Sequence, residues 1–171
     1  MSSIAIPAKE KQRVTSDWKP VIDLIDGVKV REFKNVTSDH SYVSEYFRAD
    51  WSFCERPIAH VVHVNLNPGA LTAWHMHKTK WDHIVCPSGM IKLVLCDGRK
   101  ESSTYRMVNE FNMSPLRPIV VGFPPGIWHG FQNLMSSERS SFMNMSDAAY
   151  DYENPDEWRL PLDTPEIPFK F

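Results

Sequence analysis

The chain is short of cysteine, of net charge, of long apolar runs and of helical periodicity, and each shortage closes off a class of protein. Its three cysteines, Cys54, Cys86 and Cys96, are odd in number and show no CxxC spacing. That argues against a disulfide framework and predicts buried free thiols. A formal net charge of −2 gives no reason to expect nucleic acid or an anionic membrane as a partner. No apolar run approaches the about 20 residues that cross a bilayer, and the polar N-terminus lacks a signal-peptide core. A cytoplasmic location follows as the expectation. Neither an internal repeat nor a low-complexity tract interrupts the chain.

What remains is an ordinary globular composition, 42% hydrophobic and 23% charged, over 171 residues. That length suits one domain with a sizeable core. Residues 1–18 are polar and aperiodic and read as a tail or arm, leaving 19–171 as the domain. Short β-rich segments then alternate with turn signals such as Pro68-Gly69, Asp97-Gly98 and Pro124-Pro125-Gly126. Strands are predicted at Ala59–Leu66, Met90–Cys96, Ile119–Phe123 and Ser141–Met145, with Ser102–Val108 returning from Met90–Cys96 as a hairpin. The fold class is therefore all-β, a sandwich or barrel. Its arm and uncovered strand edges make a homodimer the expected assembly.

Two stretches carry chemistry. The first runs from Gly69 through His75, His77 and Asp82 to Gly89; the second contains Pro124, Gly126, His129 and Asn133. Alternation along a strand puts His75 and His77 on one face together with Ala73, and turns Trp74 and Met76 away. Lys78-Thr79-Lys80 reads as a turn that returns Asp82 on the antiparallel partner strand, with His83 facing the other side. Three imidazoles and a carboxylate suit one divalent transition metal: iron, manganese, zinc, nickel or copper. The metal set is thus His75, His77, Asp82 and His129. His60 and His63 fall on opposite faces of one strand, and His63 is assigned to core or surface. His40 lies in a polar loop. Met107, Phe131, Met143 and Met145 are candidate pocket residues that fit plain core equally well.

These stretches resemble the paired motifs of the cupin superfamily. Asp82 stands where that family usually has glutamate, and Pro118 where the second motif opens on glycine. The resemblance implies a jelly-roll β-barrel and a metal held by His75, His77, Asp82 and His129. The half of the chain from Gly69 onward also resembles a narrower branch, the dTDP-4-dehydrorhamnose 3,5-epimerase family. His75, His129-Gly130-Phe131 and the closing segment Tyr150–Pro165 fall in its characteristic places. That resemblance implies His75 as general base and Asp163 as the carboxylate orienting it, with Tyr150 and Tyr152 as proton-handling or pocket groups. The branch's arginine position holds Thr72, its lysine position Asp82, and its acid tyrosine falls near Asn144, so the usual suppliers of positive charge to an enolate are missing.

The two resemblances compete for His75, whose lone pair cannot serve a metal and a proton at once. The combined expectation is a metal-dependent isomerase or epimerase acting on a small carbonyl substrate such as a keto sugar. The alternatives are an iron or manganese oxygenase and a non-catalytic, ligand-binding cupin.

Overall fold

The computed structural model describes residue 9 and residues 11–171. Strands numbered in chain order form two five-stranded antiparallel sheets. The first runs β1 (Lys29–Glu32), β9 (Ile119–Phe123), β6 (Asp82–Ser88), β11 (Ser140–Ser146) and β4 (His60–Leu66). The second runs β12 (Trp158–Arg159), β5 (Leu71–Met76), β10 (Ile127–Asn133), β7 (Ile91–Asp97) and β8 (Val108–Met113). A hairpin of β2 (Asn35–Thr37) and β3 (Tyr42–Ser44) stands apart. No helix among the described residues is long and apolar enough to cross a membrane.

The layout follows from alternation. Ile84, Cys86 and Val121 of the first sheet meet Ile91, Leu93, Leu95 and Phe131 of the second in the main core. Each such fully buried side chain contributes about 1.5–3 kcal/mol. Strand β6 is apolar on both faces because Val85 packs outward against Val120, Met145, Phe53 and Ile58. Outside the second sheet, Trp74, Val94 and Cys96 are capped by Ile167, Phe169 and Phe171 from the C-terminus. The result is the expected all-β jelly roll.

Some local readings change. The hairpin from β7 returns at β8, pairing Cys96 with Val108, and Ser102–Arg106 form turns. Asp97 causes this: its buried carboxylate accepts hydrogen bonds from Arg99 N and Nε and from Thr104 Oγ1, locking a wide turn. Cys86 and Cys96 are buried free thiols as expected, whereas Cys54 is only half-buried. Within the arm, residues 1–8 and 10 fall outside the described part, and an isolated bridge joins Val14 to Pro20.

The two motifs also have a structural purpose. Gly89 has φ +75°, and a Cβ there would lie 2.8 Å from the Ser140 backbone. Ser140 Oγ accepts a hydrogen bond from Met90 N and donates to Asn133 Oδ1. The closing residues of both motifs therefore meet at Ser140 and fasten the end of the sandwich.

Burial pushes the Asp97 carboxyl up, but hydrogen bonds from Arg99, Ser102 and Thr104 outweigh it and bring it to about 2 from the ordinary 3.8. The folded value lies below the unfolded one, so the stabilisation is complete above about pH 4 and disappears as pH falls towards 2. Thermal melts of Asp97→Asn are expected to show a flatter dependence over that acid range than the parent chain. An unchanged slope would mean that other carboxylates carry it.

Candidate active site

Strands β5 and β10 pair antiparallel with His75 opposite His129. The ladder then slips: Phe131 faces Thr72, so Ala73 and Trp74 together oppose Gly130. This bulge corrects one expectation. Ala73 packs outward with Trp74, and Thr72 shares the His75 face, its Oγ1 3.2 Å from His75 Nε2. Trp74 is fully buried on the outer side, as its position predicts. The rings of His75 and His77 stand 5.9 and 5.4 Å from that of His129.

Asp82 arrives by another route than expected. It opens β6, in the opposite sheet, and reaches across the sandwich; the neighbours of β5 are β10 and β12. Its carboxylate is buried, 3.5 Å from His77 Nε2, and accepts a 2.9 Å hydrogen bond from Asn144 Nδ2. His83 faces the other side, against Phe53 and Trp81, with its ring Nδ1 at the Met145 carbonyl. His77, Asp82 and His129 each offer a ligating atom within 4.8 Å of the other two. His75 does not join that trio. Its Nε2 lies 3.1 Å from Arg159 and faces Thr72 instead.

The C-terminal segment supplies groups that the sequence did not reveal. Strand β12 pairs with β5, placing Arg159 opposite His75. Asp156 clamps the β5–β6 turn: its carboxylate accepts from the backbone N–H of Lys78 and Thr79 and from Thr79 Oγ1. Those bonds hold the carboxyl at about 2 although burial opposes them. The Asp156 carbonyl in turn accepts from His77 Nδ1 at 2.5 Å. Lys80, read as part of a turn, is buried instead, with Nζ 3.6 Å from Glu157 Oε1. No short-range spacing could have signalled these partners, because they meet only through a strand pairing some 80 residues apart.

Around these groups lies a cavity of about 300 Å³ lined by His60, Thr72, His75, Lys80, Asn144 and Tyr150, among others. Of the two strand histidines His60 lines it, while His63 is exposed like His40. Phe131 is the one candidate pocket side chain found on its wall; Met107 joins the main core, and Met143 and Met145 pack outside β11. Tyr152 is not brought to the site. It is 88% exposed, turned out by the Asp151 carboxylate capping the next two backbone N–H groups, and touches Tyr150 edge-on. Asp163 is not brought to His75 either. The anchoring of Ile167, Phe169 and Phe171 on the outer face carries it to a separate surface cavity beside Leu162 and Pro165.

Protonation follows from these surroundings. Burial lowers the His75 pKa from 6.5, and the Arg159 charge lowers it further. His129 is driven well below 6.5 by complete burial, then by His77. Burial raises the Asp82 carboxyl, while His77 and Asn144 pull against it. His75 Nε2 faces a guanidinium, which only donates, so its ring proton sits on Nδ1. The arrangement presents a neutral imidazole next to two cationic side chains and a phenol. Chemically, such an arrangement can transfer a proton.

Comparison with known proteins points the same way. Residues 24–171 match the profile of the dTDP-4-dehydrorhamnose 3,5-epimerase family. The probable low-salt glycan biosynthesis epimerase Agl13 of Haloferax volcanii is 34% identical over 140 residues, which cover 81% of this chain and 89% of that protein. The spore coat polysaccharide biosynthesis protein SpsL of Bacillus subtilis is 27% identical over 148 residues, 86% of this chain and 97% of that one. A dTDP sugar isomerase from Desulfovibrio desulfuricans G20 superposes with a TM-score of 0.78 at 23% identity, covering 85% of this chain and 91% of that one.

Proposed function

Since the chain belongs to the dTDP-4-dehydrorhamnose 3,5-epimerase family, we propose that it epimerises a nucleotide-linked 4-keto sugar by proton transfer at His75. The observation carrying this reading is that His75, on the cavity wall, holds its Nε2 3.1 Å from Arg159. A carbon next to a ketone gives up its proton only if the enolate oxygen meets positive charge as it forms. Arg159 beside the base and Lys80 on the cavity wall supply that charge, in place of the lysine and arginine that the resemblance led one to seek at Asp82 and Thr72.

His75 Nε2 takes the proton from that carbon, leaving an enolate and an imidazolium. Tyr150 donates its phenolic proton to the other face of the same carbon, inverting it. Exchange of both groups with water restores the starting state. A cavity of about 300 Å³ holds the sugar ring and leaves the nucleotide at its mouth. The family supports this reading over the oxygenase alternative. Incubation with a nucleoside-diphospho-4-keto-6-deoxyhexose in D₂O tests it: deuterium is expected at the carbon that inverts, followed by NMR. A substrate recovered without deuterium and without inversion would overturn the proposal.

The same reading includes a homodimer. Strand β4, an outer strand of its sheet, bears Val61 and Val62, 55% and 40% exposed, and its His60, Val62 and Val64 form one cavity wall. The β2–β3 hairpin likewise exposes Val36, Tyr42 and Val43. A second copy covering these apolar strands would close the cavity. Light scattering is expected to give twice the 19.8 kDa chain mass; a monomer at micromolar concentration would refute this part.

A further inference from the structure

We infer that Asp156 is a positioning residue for the acid: with Asp147 it clasps the loop 147–156 onto the turn between β5 and β6, and the clasp aims Tyr150 at the cavity. The inference rests on the epimerase reading and deepens it. Three observations carry it.

The first is where the backbone hydrogens of the turn go. Lys78 N and Thr79 N donate to the Asp156 carboxylate at 2.9 and 2.8 Å, and Thr79 Oγ1 adds a bond of 2.7 Å. Trp158 Nε1 donates to the same carboxylate at 3.1 Å. At the other end of the loop, the fully buried Asp147 accepts from Trp81 N at 2.9 Å. Both ends of one loop are thus tied to the single turn Lys78–Trp81.

The second is what borders the loop. Tyr150 lies between the cavity of the candidate active site and another of about 380 Å³, whose walls include Lys78, Ala148, Asn154 and Trp158. A loop over open space has few apolar contacts to fix it, so its polar bonds set its position. Asp151 braces the middle by accepting from Glu153 N and Asn154 N. The Tyr150 ring meets only Tyr152, edge-on, and the Lys80 ammonium at 6.0 Å among the described residues.

The third is that the base is fastened separately. Strand β12 pairs with β5 through its backbone, Trp158 opposite Met76 and Arg159 opposite His75. Lys80 keeps Glu157 at 3.6 Å, and Trp81 N keeps Asp147, whatever stands at position 156. Cutting the Asp156 side chain therefore displaces the acid and leaves the base and both cations in place. His75 still takes the proton from the carbon beside the ketone, leaving the enolate. The imidazolium exchanges that proton for a deuteron from D₂O and returns it to the same face. A carbon–deuterium bond forms there without inversion.

The test compares full-length parent, Asp156→Ala, Asp156→Asn and Tyr150→Phe in D₂O with the nucleoside-diphospho-4-keto-6-deoxyhexose, under initial-rate conditions. Inversion by Asp156→Ala is expected to fall about 100-fold, the cost of a displacement of about 1 Å in a reacting group. Deuterium exchange should fall by less than about threefold, because it needs only the base and the cations. Sugar of unchanged configuration then returns labelled. Tyr150→Phe should give the same pattern, and Asp156→Asn, which keeps one carbonyl acceptor for the turn, should fall between. Amide hydrogen exchange followed by NMR should quicken about tenfold or more at Lys78 and Thr79 in Asp156→Ala and stay unchanged at Trp74 and Leu160. Cooperative melting verifies each fold, and the Asp156→Asn ratio decides if the alanine variant does not fold.

A parallel loss of exchange and inversion in the Asp156 variants overturns the inference, because a residue that only supports the fold lowers both together. Inversion at the parent rate in Asp156→Ala, or in Tyr150→Phe, also overturns it while the epimerase reading stands. A parent chain that neither exchanges nor inverts overturns the epimerase reading and this inference with it.

Discussion

Replacing His75 with asparagine is expected to slow deuterium incorporation and epimerisation by about 10²- to 10⁴-fold, the usual contribution of a positioned general base. The fold should be indifferent to the change. His75 is half-buried, and among the described residues its side chain makes polar contacts only to Thr72 and to the exposed Arg159. A melting temperature within a few degrees of the parent would accompany the loss. The drop should appear in kcat, because the proton is moved in the transition state and substrate binding falls mostly to other walls of the cavity. A decrease of less than tenfold, with the fold intact, would remove His75 from the role of base and return attention to the binding-only alternative.

Asn133→Ala is expected to destabilise the chain by at least about 3 kcal/mol while leaving every catalytic group in place. Asn133 Nδ2 donates to the carbonyls of Leu66, Asn67 and Glu138, and its Oδ1 accepts from Met135 N and Ser140 Oγ. The side chain is buried, so truncation strands several polar groups away from water at once. A buried group left unpaired in this way costs about 1–3 kcal/mol. Denaturant unfolding measures the loss directly, and a change below about 1 kcal/mol would show that water replaces the missing amide. The motif asparagine thus belongs to the architecture, a role that spacing alone does not show.

Much of the fold was legible because strand chemistry is local. β-branched runs such as Val61–Val64, bounded by Asn67-Pro68, can only be strands, and alternation sends Trp74 and His75 to opposite sides. The meeting of His77, Asp82 and His129 was legible too, since His77 directly follows β5 and His129 lies on β10. What stayed hidden depends on pairing between distant segments. Arg159 opposes His75 only because β12 joins β5, and Lys80 is drawn inward beside Glu157 by the same docking. Asp163 was misplaced because nothing local shows that Phe169 and Phe171 pull the tail outward. The choice between His60 and His63 turned on which face of β4 meets the cavity, and two residues of opposite parity give no means of choosing. Ala73 was misassigned because a bulge breaks the two-residue rhythm on which the assignment relied.

The tail that displaced Asp163 is also a fastening for the active site. Leu160 and Trp74 exchange backbone hydrogen bonds in both directions, directly before His75. Phe171 lies so close over Gly130 that a Cβ there would come within 2.9 Å of its ring, one position from His129. The segment 160–171 therefore works as a strap across the backs of both histidine-bearing strands. Replacing Phe171 with a small residue is expected to loosen the backing of two site residues.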